Sequence, residues 1–148
     1  MVLDTETLIA EIGRSVERLR PQPAFSCLFG SAAQDRLTPV SDIDVGLYFT
    51  EEVDLLELGG LAGELEDRLG RRIDLVELQN LPKRNPAFSY RIASHMIVVT
   101  GHSSAELVTF KKWSYLEYLD TEPLRRRMTA ALKKRLAEGR AGDRNYVG

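Results

Sequence analysis

Residues 42–49 alternate in a way that only a strand can use. Asp42, Asp44, Gly46 and Tyr48 interleave with Ile43, Val45, Leu47 and Phe49. Successive side chains of a strand point to opposite faces, so the two aspartates share one face while the four apolar residues share the other. The expectation is a strand from Asp42 to Phe49 that is apolar on one face and anionic on the opposite one. Two carboxylates held that close repel, and one pKa rises unless a cation lies between them. A hard divalent ion suits carboxylate oxygens best.

Upstream, 24–29 form the short apolar run Ala-Phe-Ser-Cys-Leu-Phe, which ends at Gly30-Ser31. This reads as a buried strand turning sharply into a helix. Glycine has no Cβ and lets a ligand approach the backbone. Ser31, at or near the cap of the following helical turn, would offer its hydroxyl and free N–H groups to a phosphate oxygen. A third acid is expected from Arg72-Ile73-Asp74-Leu75-Val76-Glu77-Leu78, read as a strand. Ile73 and Leu75 are apolar, so alternation turns Asp74 away from the buried face, provided this strand pairs with the one carrying Asp42.

Gly30-Ser31, ten residues between Ser31 and Asp42, the Asp42-x-Asp44 pair and the later Asp74 resemble the signature of the DNA polymerase β nucleotidyltransferase superfamily. The short chain and spacer look most like its minimal nucleotidyltransferases, the MNT antitoxins paired with HEPN ribonuclease toxins. The resemblance spans roughly residues 24–100. It implies an α/β (α+β) fold, a small mixed sheet flanked by helices with further helices at the C-terminus. It also implies Mg2+-dependent transfer of AMP from ATP to a tyrosine of a cognate HEPN toxin, which silences the toxin. Asp42, Asp44 and Asp74 would be the catalytic and metal-binding residues, and Gly30 and Ser31 would hold the β and γ phosphates. One departure stands out. The family carries Arg-Ala-Arg-Gly after Gly-Ser, where this chain has Ala32-Ala33-Gln34-Asp35. Two other readings stay open, a small-molecule (antibiotic) nucleotidyltransferase and a catalytically inactive antitoxin that acts by binding alone.

Composition agrees with one ordinary globular domain: 148 residues, 43% hydrophobic and 28% charged. No apolar run approaches the length of a membrane span, and Asp4 and Glu6 stand where a signal peptide would be basic and then apolar, so a cytoplasmic protein without membrane contact is expected. The single cysteine, Cys27, excludes an internal disulfide and reads as a packed core thiol. His95 and His102 have no further His or Cys at zinc-like spacing. Arg71, Arg72, Lys83 and Arg84 lie close enough in sequence to Asp74 for some of them to balance triphosphate charge.

Charge is unevenly distributed. Residues 1–103 carry 10 Lys and Arg against 16 Asp and Glu, and residues 104–148 carry 10 against 6. The basic C-terminal third suggests an acidic partner surface or RNA contact, or else a merely solvated helical face; because acids are interspersed, direct nucleic-acid binding is not expected.

Leu8, Ile9, Ile12, Val16 and Leu19 recur at helical spacing ahead of Pro21 and Pro23. Asp54 and Glu57 resemble a capping box before Leu58, Leu61, Leu65 and Leu69, and Gly70 closes that helix. A loop is expected over 81–86, then a short helix through Tyr90 and Ile92 to His95 and a strand at 96–99. One helix is expected from Ser103 to about Leu119, with Phe110, Trp113, Tyr115 and Tyr118 packed in the core, and a second uses Leu124, Met128, Ala131 and Leu132. The units are a nucleotidyltransferase core over 1–102, a helical extension over 103–140 and a tail over 141–148.

Overall fold

A computed structural model describes residues 3–139. The element order is α1 (Thr5–Glu17), β1 (Phe25–Phe29), β2 (Ile43–Tyr48), α2 (Leu55–Leu69), β3 (Ile73–Glu77), α3 (Leu81–Arg84), α4 (Pro86–His95), β4 (Ile97–Thr100) and α5 (Ala105–Ala137). The four strands form one mixed sheet in the order β3-β2-β1-β4. β1 runs antiparallel to both its neighbours, while β2 and β3 are parallel, joined by the α2 crossover.

Helices cover both faces. Leu8, Ile12 and Val16 of α1 and Leu61, Leu65 and Leu69 of α2 bury against Leu28, Ile43, Val45, Leu47 and Phe49. On the other face Leu81, Ile92, Leu107 and Phe110 of α3, α4 and α5 pack on Phe25, Cys27 and Phe29. β1 is buried along its whole length because it is covered on both faces and flanked on both edges.

This second core corrects the expectation of a wholly anionic face. Asp44 shares its face with Gly46 and Tyr48. Tyr48 stacks on Phe25 at 5.3 Å between ring centroids, and a Cβ on Gly46 would fall 2.8 Å from Cys27 Sγ. Only the end of the face nearest the N-terminus of β2 is acidic.

Local signals mostly act as read. The Asp4 side chain caps α1 by accepting from Thr7 N–H, and Asp54 caps α2 by accepting from Leu56 N–H. Gly70 ends α2 in the left-handed conformation. Residues 81–84 are a helical turn rather than loop, with Pro82 in its first turn, where the missing N–H costs nothing. Cys27 is a core thiol, pushed up to about 12 by burial. His95 and His102 are exposed.

The C-terminal part departs most. Two helices were expected; α5 is one helix of 33 residues running through Pro123. The ring lacks the N–H that would bond Leu119 C=O, which ordinarily kinks or breaks a helix. Here side chains take over nearby carbonyls. Thr121 Oγ1 donates to Glu117 and Tyr118 C=O, and Arg125 Nη2 donates to Tyr118 C=O at 2.6 Å. Arg125 also lies over the Tyr118 ring, 3.7 Å from its centroid, and Tyr118 stacks on Tyr90 of α4 at 4.2 Å. The aromatic group splits accordingly: Phe110 is buried, whereas Trp113 and Tyr115 are about half exposed. The tail expected over 141–148 lies outside the described residues.

Candidate active site

Three consequences of the sheet bring the acids together. β2 and β3 run parallel with Asp44 directly opposite Asp74, so two strands place their carboxylates side by side. On the other edge Asp44 faces Phe29, the last residue of β1, so the Gly30-Ser31 turn arrives beside the same carboxylate. Asp42 lies one residue ahead of β2, and Ile43 N–H donates to Arg72 C=O at 2.9 Å, which holds this entry against β3.

Gly30 is fixed by geometry. Its φ is +69°, and a Cβ there would fall 2.2 Å from Asp44 Oδ2. The absent side chain is thus the space that the Asp44 carboxylate occupies. No helix follows. Residues 30–35 are a turn, closed by Gln34 N–H to Gly30 C=O at 3.2 Å and Arg36 N–H to Ser31 C=O at 2.8 Å. Asp35 adopts φ +55°, a left-handed conformation that Asp tolerates better than most residues. A single turn replaces the expected helix because Leu37 and Ala32 fold back onto the first core instead of continuing a helical face.

Asp44 is the electrostatic hub. Burial first, then Asp74, then Asp42 push its carboxyl up to about 6 from 3.8. The strand is half-buried at this point, so part of the carboxyl's hydration is lost while two like charges stand nearby. Among the described residues no lysine, arginine or histidine forms an ion pair with any of the three acids. Nor do any three His, Cys, Asp or Glu side chains among them converge into a ready-made metal cluster. The donor set still fits a hard divalent cation: carboxylate oxygens only, mutually repelling and unneutralised.

The sequence gives no sign of what holds the loop before Asp42. Thr38 N–H donates to Ser41 Oγ at 2.9 Å, and Ser41 N–H donates to Thr38 C=O at 3.1 Å. Arg71 Nη1 reaches over from the start of β3 to Thr38 C=O at 2.8 Å and Ser41 C=O at 3.4 Å. Arg71 therefore clamps the loop. From α2, Glu66 Oε2 accepts from Ile73 N–H at 3.0 Å and pins β3 one residue before Asp74. Arg36 belongs to the Gly30-Ser31 turn through its backbone, and its guanidinium is held by Gln34.

A separate open cleft of about 410 Å3 lies near the far end of β2, lined by Tyr48, Gln79, Asn80, Lys83 and Trp113 among others. Tyr48 is four strand positions beyond Asp44, about 13 Å along β2. The cleft is distinct from the acids.

The family model for polymerase beta nucleotidyltransferases matches residues 13–105, which include Gly30, Ser31 and all three acids. No curated protein matches the chain. Solved structures share the fold. A chain from a crystal structure of a toxin-antitoxin with AMP-PNP superposes with a TM-score of 0.73 at 19% identity, over 84% of this chain and 98% of the other. A chain from a mutant MntA-HpeT toxin-antitoxin gives 0.70 at 18%, over 88% and 99%. One from a tri-AMPylated Shewanella oneidensis HEPN toxin in complex with MNT antitoxin gives 0.69 at 17%, over 87% and 98%.

Proposed function

The chain belongs to the polymerase beta nucleotidyltransferase family, and from that premise we propose that it transfers AMP from ATP to a tyrosine of a cognate HEPN-type toxin and so acts as its antitoxin. The observation that carries the reading is the register that sets Asp44 beside Asp74 on β3 and beside the Gly30-Ser31 turn on β1. An acid pair that would hold a divalent cation, beside a Gly-Ser turn, suits a nucleoside triphosphate better than any neutral ligand.

In this proposal Asp42, Asp44 and Asp74 hold Mg2+. Bound there, the ion would neutralise triphosphate charge and favour departure of pyrophosphate. The chain's own groups do the rest. Gly30 lets the Asp44 carboxylate lie against the turn, and Ser31 donates to the phosphate oxygens. Asp74, at the β3 edge of the group, takes the proton of the attacking hydroxyl. Asp44 must be ionised to bind a cation, so its raised pKa makes cation binding weaken as the pH falls through about 6. Arg36, whose backbone N–H closes the same turn and whose guanidinium Gln34 holds, is the arginine of this turn that would supply positive charge for the phosphates in place of the family arginines.

Three features support the antitoxin reading: the shared fold with chains from toxin-antitoxin structures, the AMP-PNP present in one of those structures, and the AMPylated toxin in another. The test is transfer of label from α-labelled ATP. The purified HEPN partner should acquire AMP only with Mg2+ present, and mutation of its acceptor tyrosine should abolish the label. Labelling of an aminoglycoside but not of the toxin would favour the antibiotic-modifying alternative. A toxin neutralised without any label would favour an inactive binder.

A further inference from the structure

Among the described residues, the distal half of α5 buries little surface against the rest of the protein. From Leu119 to Ala137 only Thr121, Glu122 and Arg125 are half-buried, and every other residue is exposed. That stretch is about 28 Å of helix. Along it Leu124, Met128, Leu132 and Leu136 are 54%, 64%, 52% and 57% exposed. They recur every four residues and form one continuous ridge of the kind that seats in the groove of a crossing helix. The same stretch carries six Lys and Arg against two acids. Arg127 and Lys133 each stand next to a ridge residue in sequence, so cations border the ridge.

We propose that this arm is the docking surface for an amphipathic helix of the partner protein, apolar along its contact line and acidic at its flanks. The proposal rests on the functional reading above, which supplies the HEPN-type toxin as the partner. Charge selects among occupants. Two copies of this chain meeting along the ridge would bring two strongly positive arms together, which like-charge repulsion opposes. A nucleic acid would engage the cations and leave four large apolar side chains in water, whereas an acidic amphipathic helix satisfies both features. Arg125 is not part of the recognition set. Its guanidinium is committed to Tyr118 C=O and to the Tyr118 ring, where it sustains the helix beyond Pro123.

Two variants test the surface. In the first, Leu124, Met128 and Leu132 become Gln, a good helix former that keeps α5 helical by circular dichroism. In the second, Arg127, Lys133 and Lys134 become Glu. Binding to the purified HEPN toxin should fall at least 100-fold in the first variant, mainly through faster dissociation. In the second, association should slow about tenfold at low salt, and its salt dependence should flatten. Nucleotide binding by the isolated chain should be unchanged in both. If wild-type protein fails to bind the toxin, the partner reading falls and this proposal with it. Should wild type bind and the glutamine variant bind within twofold of it, the docking surface alone is wrong. A wild-type dimer that the glutamine variant loses would contradict the choice of occupant. So would RNA binding that is abolished by charge reversal and spared by glutamine.

Discussion

Asp44 shows how one residue of the proposed site can oppose stability. Its folded pKa of about 6 lies above the ordinary 3.8, so the folded state holds the proton more tightly than the unfolded chain does. That preference favours folding below about pH 4, fades as the pH rises, and is replaced above about 6 by the cost of a half-buried anion beside two others. Asp44→Asn should therefore stabilise the metal-free protein at pH 7.5 by about 1 kcal/mol after solvent screening, or roughly 2–4 °C. At pH 4.5 the gain should fall to about a third of that value; paired thermal melts at the two pH values measure it. Equal shifts at both values would mean that Asn acts through packing rather than charge. At the neighbouring turn, Arg36→Ala should weaken ATP binding about tenfold in a calorimetric titration, and an unchanged Kd would leave the phosphates to backbone N–H groups alone.

These residues also show what a sequence conveys. The shared face of Asp42 and Asp44 was legible because strand alternation is a local rule, whereas the parallel pairing that sets Asp74 opposite Asp44 joins residues far apart in sequence and could only be assumed. Arg36 was not legible, because its place in the turn depends on a backbone bond to Ser31 that no spacing rule predicts. Ala32, at a position where the family has arginine, is 3% exposed in the first core. An arginine there would have to enter the space between α1 and the sheet, so the substitution of this family residue is tied to packing as well as to ligand binding.

At the scale of elements, the site depends on how loops are held as much as on strands. The loop carrying Thr38 and Ser41 leads directly into Asp42, and its two carbonyls share the Arg71 guanidinium. Arg71→Ala leaves both carbonyls to water and loosens the approach of Asp42 to the site. The expected result is a transfer rate reduced about tenfold, with thermal stability lowered by only about 1 kcal/mol. A variant with unimpaired turnover would show that the loop orders itself. Helix lengths were the least legible feature. Pro123 and the polar residues around it signal an end to a helix, yet Thr121, Arg125, Tyr118 and Tyr90 cooperate across α4 and α5 to carry the helix past it. The turn after Gly30 is the reverse case. A helix start was legible, but tertiary packing of Ala32 and Leu37 ends it after one turn.

Over the whole molecule, the sheet separates three tasks. The ends of β1, β2 and β3 gather the acids and the Gly30-Ser31 turn, the two faces bury the cores, and α5 carries basic and apolar residues away from both. No helix among the described residues is long and apolar enough to cross a membrane. The charge split was visible in the sequence, but its meaning was not: composition records cations and leucines without saying that the second half of α5 leaves the body of the protein. The proposed metal–nucleotide site is tested most directly by ligand-induced thermal stabilisation in wild type and in the Asp42→Asn, Asp44→Asn double variant. With Mg2+ and a non-hydrolysable ATP analogue at about 100 times Kd, wild type should gain roughly 3 kcal/mol, or on the order of 5–10 °C, and lose that gain when EDTA removes the metal. The double variant should gain nothing under either condition, and a shift in the double variant as large as that of wild type would contradict the assignment of Asp42 and Asp44.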